Sequence, residues 1–319
     1  MRKLPAVIAV LGLAAVALVG CSSGSGASAS CSRPTDTSSA TMDLISVSGP
    51  TDAKPTVTVH TPLHATTTQF ADVKTGKGAV PITTGKQLVV LDVSLTSATT
   101  GKTIVTTAYD GSDSTVLSVS QWSKSFPGFR KALQCATAGT RIALAVAPDG
   151  IESQAAQSLS LGKDDSVVAV LDVRKVYLAA ANGALVYNSG WGLPAVVRAP
   201  NGRPGVVVPD SPAPQNLTVQ VLKSGDGQKV TGERPVRLHY TVVNWTDKSV
   251  ASTTWDGDPP SVTLSSMSKG FQDAVKGQRV GSQIMAIVPK ADGTQGVDDT
   301  QIVVIDILGI DAVGVAASQ

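Results

Sequence analysis

Alternation of apolar and polar positions is the dominant pattern along this chain. Thr56-Val57-Thr58-Val59-His60 reads as a strand, and Val89 to Leu95 is apolar at every second position with Val90 added. Gly101-Lys102 turns the chain into a further strand, Thr103-Ile104-Val105-Thr106-Thr107. Ile142 to Val146 alternates large and small apolar side chains. Val167 to Val176 is apolar at nearly every position up to Asp172, the signature of a strand buried on both faces. The spacing in this half supports one short helix, Gly128 to Leu133, where Phe129, Ala132 and Leu133 share a face.

The stretch 182–214 is rich in Gly and Pro and excludes long central strands or helices. It reads as an inter-domain linker with one extended piece at Gly205-Val206-Val207-Val208. Within it, Trp191-Gly192-Leu193-Pro194 fits a linker packed on a domain and a partner surface equally well.

The earlier pattern then returns. Leu217 to Leu222 alternates, and Val236 to Val242 repeats the spacing of Val89 to Leu95. Tyr109-Asp110-Gly111 recurs as Trp255-Asp256-Gly257, and Pro127-Gly128-Phe129 to Leu133 as Lys269-Gly270-Phe271 to Val275. Gly139-Thr140-Arg141-Ile142 recurs as Gly281-Ser282-Gln283-Ile284, and Val170-Leu171-Asp172-Val173 as Val304-Ile305-Asp306-Ile307. Ordered matches at a nearly constant offset mean two copies of one domain. The offset shortens along the repeat, so the first copy carries extra residues near Glu152 to Ser160, expected in a loop.

The amino terminus adds a location. Arg2-Lys3 precedes a run from Leu4 to Val19 that carries no charge, followed by Gly20 and Cys21. A basic start, a short apolar stretch and small residues at a cut site describe an export signal. A transmembrane anchor would need about 20 apolar residues, and this run stops at Cys21. Leu18-Val19-Gly20-Cys21 resembles a bacterial lipobox, which implies lipid on the Cys21 thiol. Ser22 to Ser30 contains only Ser, Gly and Ala, a flexible tether.

Charge excludes one class of partner. The chain has 26 basic and 24 acidic residues, and loss of Arg2 and Lys3 balances them, so nothing drives nucleic-acid binding. With Cys21 lipidated, Cys31 and Cys135 remain, and an even count in an oxidising compartment favours a disulfide. The chain has three histidines, His60, His64 and His239, and no CxxC spacing, which speaks against a metal site. No cofactor is expected, and no convincing Ser/His/Asp set is present.

From Val219-Gln220-Val221-Leu222-Lys223-Ser224-Gly225-Asp226-Gly227, through Val236 to Thr241, Trp255-Asp256-Gly257 and Gly270 to Val275, the second copy resembles the FKBP-type peptidyl-prolyl cis/trans isomerases. The match continues through Gly277 to Ser282, Ile287-Val288-Pro289 and Ile302 to Ile310. The first copy is a fainter version whose best piece is Phe126-Pro127-Gly128-Phe129. The whole looks like a two-domain actinobacterial lipoprotein of this type. The resemblance implies an α+β fold of two FKBP-like domains, each a curved antiparallel sheet wrapped on one short helix. The expected boundaries are a signal peptide at 1–20, a tether and arm at 21–55, and a degenerate first domain at 56–180. A linker at 181–215 and a second domain at 216–319 complete them.

Carried over residue by residue, the resemblance puts Phe271 at the pocket floor, Tyr240 on the first long strand and Ile305 in place of a usual phenylalanine. Trp255 falls in a loop edging the pocket, and Met267 and Ser268 precede the helix, where backbone contacts substrate. In the first copy Phe129, Tyr109, Phe126 and Leu171 are the pocket candidates, with Val93 in place of the sheet tyrosine. Departures are clear: Ala251-Ser252 and Val105-Thr106 replace an aromatic-Asp pair, and Lys290-Ala291-Asp292-Gly293 lacks a tyrosine. His239 is expected to face away from Tyr240, toward solvent. Asp172 and Asp306 are expected to be structural. The implied function is an extracytoplasmic, lipid-anchored prolyl isomerase acting on proline-containing exported polypeptides. The alternative is a peptide-binding module of the same fold without catalysis.

Overall fold

The computed structural model describes residues 31–37, 39–187 and 190–312. The expected signal peptide, the lipidation of Cys21 and the Ser/Gly/Ala tether lie outside the described residues.

The first domain contains β1 (Ile45–Ser48), β2 (Thr56–Val59), β3 (Gln69–Lys74), β4 (Leu88–Ser97), β5 (Thr103–Thr106) and β6 (Leu117–Ser118). Then come α1 (Val119–Ser125), α2 (Phe129–Leu133), β7 (Arg141–Val146), α3 (Ser153–Ser158) and β8 (Val167–Val176). The second contains β9 (Ala184–Leu185), β10 (Ala195–Arg198), β11 (Pro204–Val207), β12 (Thr218–Ser224), β13 (Val236–Asn244) and β14 (Val250–Thr253). It ends with β15 (Ser261–Val262), α4 (Lys269–Val275), β16 (Gln283–Val288) and β17 (Gln301–Ile310). The two main sheets have the same antiparallel order: β3-β7-β8-β4-β5 in the first and β12-β16-β17-β13-β14 in the second, which adds β9 beside β12. The repeat read from sequence is thus a repeat of topology, and both domains are α+β.

The extra apolar residue in the alternation has a structural cause. The β4–β8 register shifts between Val90 and Leu91, and the β13–β17 register shifts at the matching place, between Arg237 and Leu238. Each is a bulge that absorbs one residue and adds local twist. Beyond it the side chains alternate cleanly between two covered faces.

One face of each sheet carries the helix. Phe129, Ala132 and Leu133 of α2 pack on Val93, Ile142, Leu144 and Leu171, and Phe271, Ala274 and Val275 of α4 pack on Leu238, Ile284 and Ile305. The opposite face is also covered, and this departs from the expectation of an arm and a linker. The β1–β2 hairpin lays Ile45, Val47, Val57 and Val59 on Ala143, Ala145 and Val168. The β10–β11 hairpin lays Val196 and Val206 on Met285, Ile287, Ile302 and Val304, with Leu193 alongside. Thus the Gly/Pro-rich stretch is largely the outer layer of the second domain. Leu193 of the apolar patch packs, whereas Trp191 is exposed. The small alternate residues of β7 let the first hairpin approach closely.

Buried polar groups pin these hairpins. Arg141 gives two hydrogen bonds to Asp172, at 2.7 and 2.8 Å, and two to the carbonyls of Gly49 and Ala53 in the β1–β2 turn. In the second domain Gln283 donates to Asp306 at 2.6 Å while accepting from Arg198 on β10. Both aspartates are structural, as expected. Burial raises the pKa of each carboxyl, against the lowering effect of those donors.

Cys31 and Cys135 form the expected disulfide. Arg33 reinforces it: the guanidinium pairs with Asp72 and donates to the carbonyls of Ala132 and Gln134 at the end of α2. Two local readings change. A second helix, α1, precedes α2, held by a reciprocal pair in which Ser118 caps Gln121 and Gln121 returns the bond. The extra residues near Glu152 to Ser160 form α3, whose first N–H groups bond to Glu152.

The domains meet along a built junction. Leu178 N–H donates to Leu308 O, Lys175 to Ile310 O, and Lys86 to the carbonyls of Trp255 and Asp256. Tyr177 packs against Gly309, where a Cβ would come within 2.4 Å of the ring. Only glycine fits there.

Candidate functional site

The register of the second sheet brings several of the candidate residues together. Tyr240 on β13 lies directly opposite Ile305 on β17, which lies opposite Ile284 on β16. Paired residues share a face, so Tyr240 and Ile305 both look toward α4. There the Tyr240 ring meets Phe271 edge to face, with centroids 5.7 Å apart and planes at 80°. This is a favoured aromatic geometry. Phe271 and Ile305 are buried, while Tyr240 and Met267 are half-buried at the rim. Gly270 allows the helix to sit this low: a Cβ there would be 2.4 Å from Val288 Cγ1. Gln272 fixes the rim by donating to the Met267 carbonyl at 2.8 Å. Ser268 occupies the cap position of α4 without a side-chain cap bond.

Chemically this is an aromatic and aliphatic cluster with one phenol at its half-buried edge. Phe271, Ile305 and Met267 carry no titratable group. Among the described residues no cluster of His, Cys, Asp or Glu could hold a metal. Such a surface suits the ring of a proline or another compact apolar group.

Trp255 does not join it. The indole stacks on His239 at 4.3 Å on the other face of the sheet, beneath the β10–β11 turn, where a Cβ on Gly202 would be 3.1 Å from its ring. Both rings are buried, so His239 faces away from Tyr240 as expected but not into solvent. Burial, and secondarily the charge of Lys86, lower its pKa to about 4. Its Nδ1 lies 3.0 Å from Thr254 Oγ1. The hairpin that hides this face was read as a linker, which is why the histidine looked exposed.

Tyr109, the counterpart of Trp255, is displaced in the same way. Its hydroxyl donates to Asp172 at 3.0 Å, on the hairpin side. Burial and the adjacent carboxylate raise its pKa. The helix side of the first domain holds the remaining candidates. Leu171 lies opposite Val93 and Ile142, in the register of Ile305. Phe129 is fully buried, and Phe126 stacks flat on it at 4.8 Å with planes at 11°.

Sequence reading missed α1 and the hairpins. The Ser118 and Gln121 pair was the available signal for the helix.

No family model matches the chain. A curated relative from Corynebacterium glutamicum, "Probable FK506-binding protein", is 25% identical over 88 residues, which span 27% of this chain and 75% of the relative. Among solved structures, the three FKBP domains of wheat FKBP73 align over 76% of this chain and 94% of theirs, at 12% identity and a TM-score of 0.32. A peptidyl-prolyl cis-trans isomerase from Pseudomonas syringae pv. tomato aligns over 30% of this chain and 76% of its own, at 15% identity and a TM-score of 0.28. Over part of its length the chain is similar to an FK506-binding protein, and its two domains share one antiparallel α+β topology.

Proposed function

We propose that the second domain is a prolyl cis/trans isomerase site and that the chain works outside the cytoplasm, held to the membrane by lipid on Cys21. The carrying observation is the edge-to-face Tyr240–Phe271 pair over Ile305, beside the half-buried Met267. Rotation about an X-Pro bond needs no nucleophile, because the barrier of about 18–20 kcal/mol is lost amide resonance. Rate is gained when the surroundings bind the twisted amide more tightly than the planar one. An apolar recess removes water that favours the polar planar form. Rigid rings do so at small entropic cost. The Met267 carbonyl, fixed by Gln272, stands where substrate backbone would pass. Clients would be proline-containing exported polypeptides.

The first domain favours the binding reading instead. Phe126 lies over Phe129, and Val93 supplies no hydroxyl. We assign it no catalysis.

Titration of isotope-labelled residues 31–319 with a short proline peptide tests the assignment. Resonances of Tyr240, Met267 and Phe271 are expected to move while Phe129 stays. Shifts confined to the first domain would overturn it.

A further inference from the structure

The first domain contains a second recess that the proline-site reading does not use. Val119, Ser120 and Ser123 of α1, Arg130 of α2, Gln134 and the stretch Ile82–Gly85 enclose a cavity of about 230 Å³. Val93, Phe126, Phe129 and Leu171 take no part in its wall. The second domain has a three-residue 3₁₀ turn, Leu264–Ser266, where the first has α1, so this wall belongs to one copy.

Two independent observations point to a ligand. The first is Ser123. The residue belongs to the cavity wall and is 3% exposed, and its Oγ, itself covered, has no hydrogen-bond partner. Buried hydroxyls are nearly always satisfied, and leaving one unpaired is unfavourable. The second is charge. The two segments that build the cavity, 73–91 and 114–148, contain no Asp or Glu, although the chain as a whole is nearly balanced. They hold Lys74, Lys77, Lys86, Lys124, Arg130, Lys131 and Arg141. Arg141 is committed to Asp172 and Lys86 to carbonyls of the second domain. Arg130, on the cavity wall, has no carboxylate partner among the described residues.

We infer that this cavity binds a carboxylate carrying a short aliphatic group. The planar guanidinium of Arg130 can meet both carboxylate oxygens. Ser120 and Thr84 supply hydroxyl donors at the same wall, and the covered Ser123 hydroxyl reaches it by rotation about its Cα–Cβ bond. Ile82 and Val119 give apolar contact for the carbon chain, which a bare inorganic anion would leave unused. The carboxylate belongs to a free short-chain acid or to the C-terminus of a polypeptide. The inference stands apart from isomerase activity.

The test is titration of labelled residues 31–319 with isovalerate, with acetyl-Gly-Ala-Val bearing a free C-terminus, and with the same peptide as its C-terminal amide. Resonances of Thr84, Ser120, Ser123 and Arg130 are expected to shift with the two acids and not with the amide. Arg130→Gln, an exposed position that leaves packing intact, is expected to weaken binding at least about tenfold. Ser123→Ala is expected to weaken it several-fold, and Ser123→Leu to abolish it by filling the space. Tighter binding of the peptide acid than of isovalerate would identify a chain terminus, and the reverse a free acid. Equal binding of the amide, unchanged affinity in Arg130→Gln, or no shifts at millimolar ligand would overturn the inference.

Discussion

The Tyr177 hydroxyl donates to the Asp311 carboxylate across the domain junction at 2.6 Å, with both groups buried. Asp311 also pairs with Arg237 at 2.9 Å and accepts from Ser261. One carboxylate therefore satisfies a phenol from the first domain and a guanidinium and a hydroxyl from the second. Asp311→Ala leaves a buried guanidinium without its counter-charge and is expected to cost about 3–5 kcal/mol. Tyr177→Phe should cost about 1–2 kcal/mol. Urea unfolding of both variants measures this. A neutral Tyr177→Phe would mean that the junction hydrogen bond does not form in solution.

The buried imidazole of His239 predicts a pH dependence. In the fold its pKa lies at about 4, below the ordinary 6.5, because burial disfavours the charged form. The unfolded chain therefore takes up this proton first. Stability is lost as pH falls from about 6.5 to about 4 and changes no further below that. The full effect is up to about 3 kcal/mol. His239→Gln should flatten the slope in that window relative to the parent chain. Parallel stability curves for the two proteins would contradict the burial.

The Cys31–Cys135 bond closes a loop of 104 residues. The chain-entropy account assigns such a loop roughly 4–5 kcal/mol. Replacing both cysteines with Ser is expected to lower stability by about that amount, with the loss falling on the first domain. Arg33 keeps its bonds to Asp72 and to the end of α2, so the arm should stay docked in the folded state. Hydrogen exchange of residues 31–37 alongside urea unfolding checks both halves of this expectation.

Gly270→Ala tests how closely α4 must approach β16. The new methyl would meet Val288 Cγ1 at 2.4 Å, a distance that forces the Val288 side chain, the helix or the strand to shift. A cost of about 1–3 kcal/mol is expected. The Phe271 ring should also move relative to Tyr240, visible as changed ring-current shifts. An unchanged melting curve would show that the contact is slack.

Much of the fold was legible in the alternation. The strands, the helix at Phe271 and the two-copy repeat follow from period and order, the cysteine pair from an even count, and the joint placing of Tyr240 and Ile305 from the family resemblance. The coverings did not. Periodicity tells which side chains share a face but not what lies over that face. Val196 and Val206 sit between glycines and prolines, so their hairpin looked like a linker. His239 and Trp255 then seemed to border solvent and a pocket. In the same way Tyr109 follows the Trp255 pattern faithfully, yet its partner, Asp172, is on the hairpin side. Loop residues carry no periodic signal for the face they choose.

The most direct test of the central claim is protease-coupled isomerisation of a short proline peptide by residues 31–319, compared with Phe271→Ala and Phe129→Ala. The account predicts acceleration that falls at least about tenfold in Phe271→Ala and is retained in Phe129→Ala. Acceleration that survives Phe271→Ala, or its absence in the folded parent chain, would contradict it.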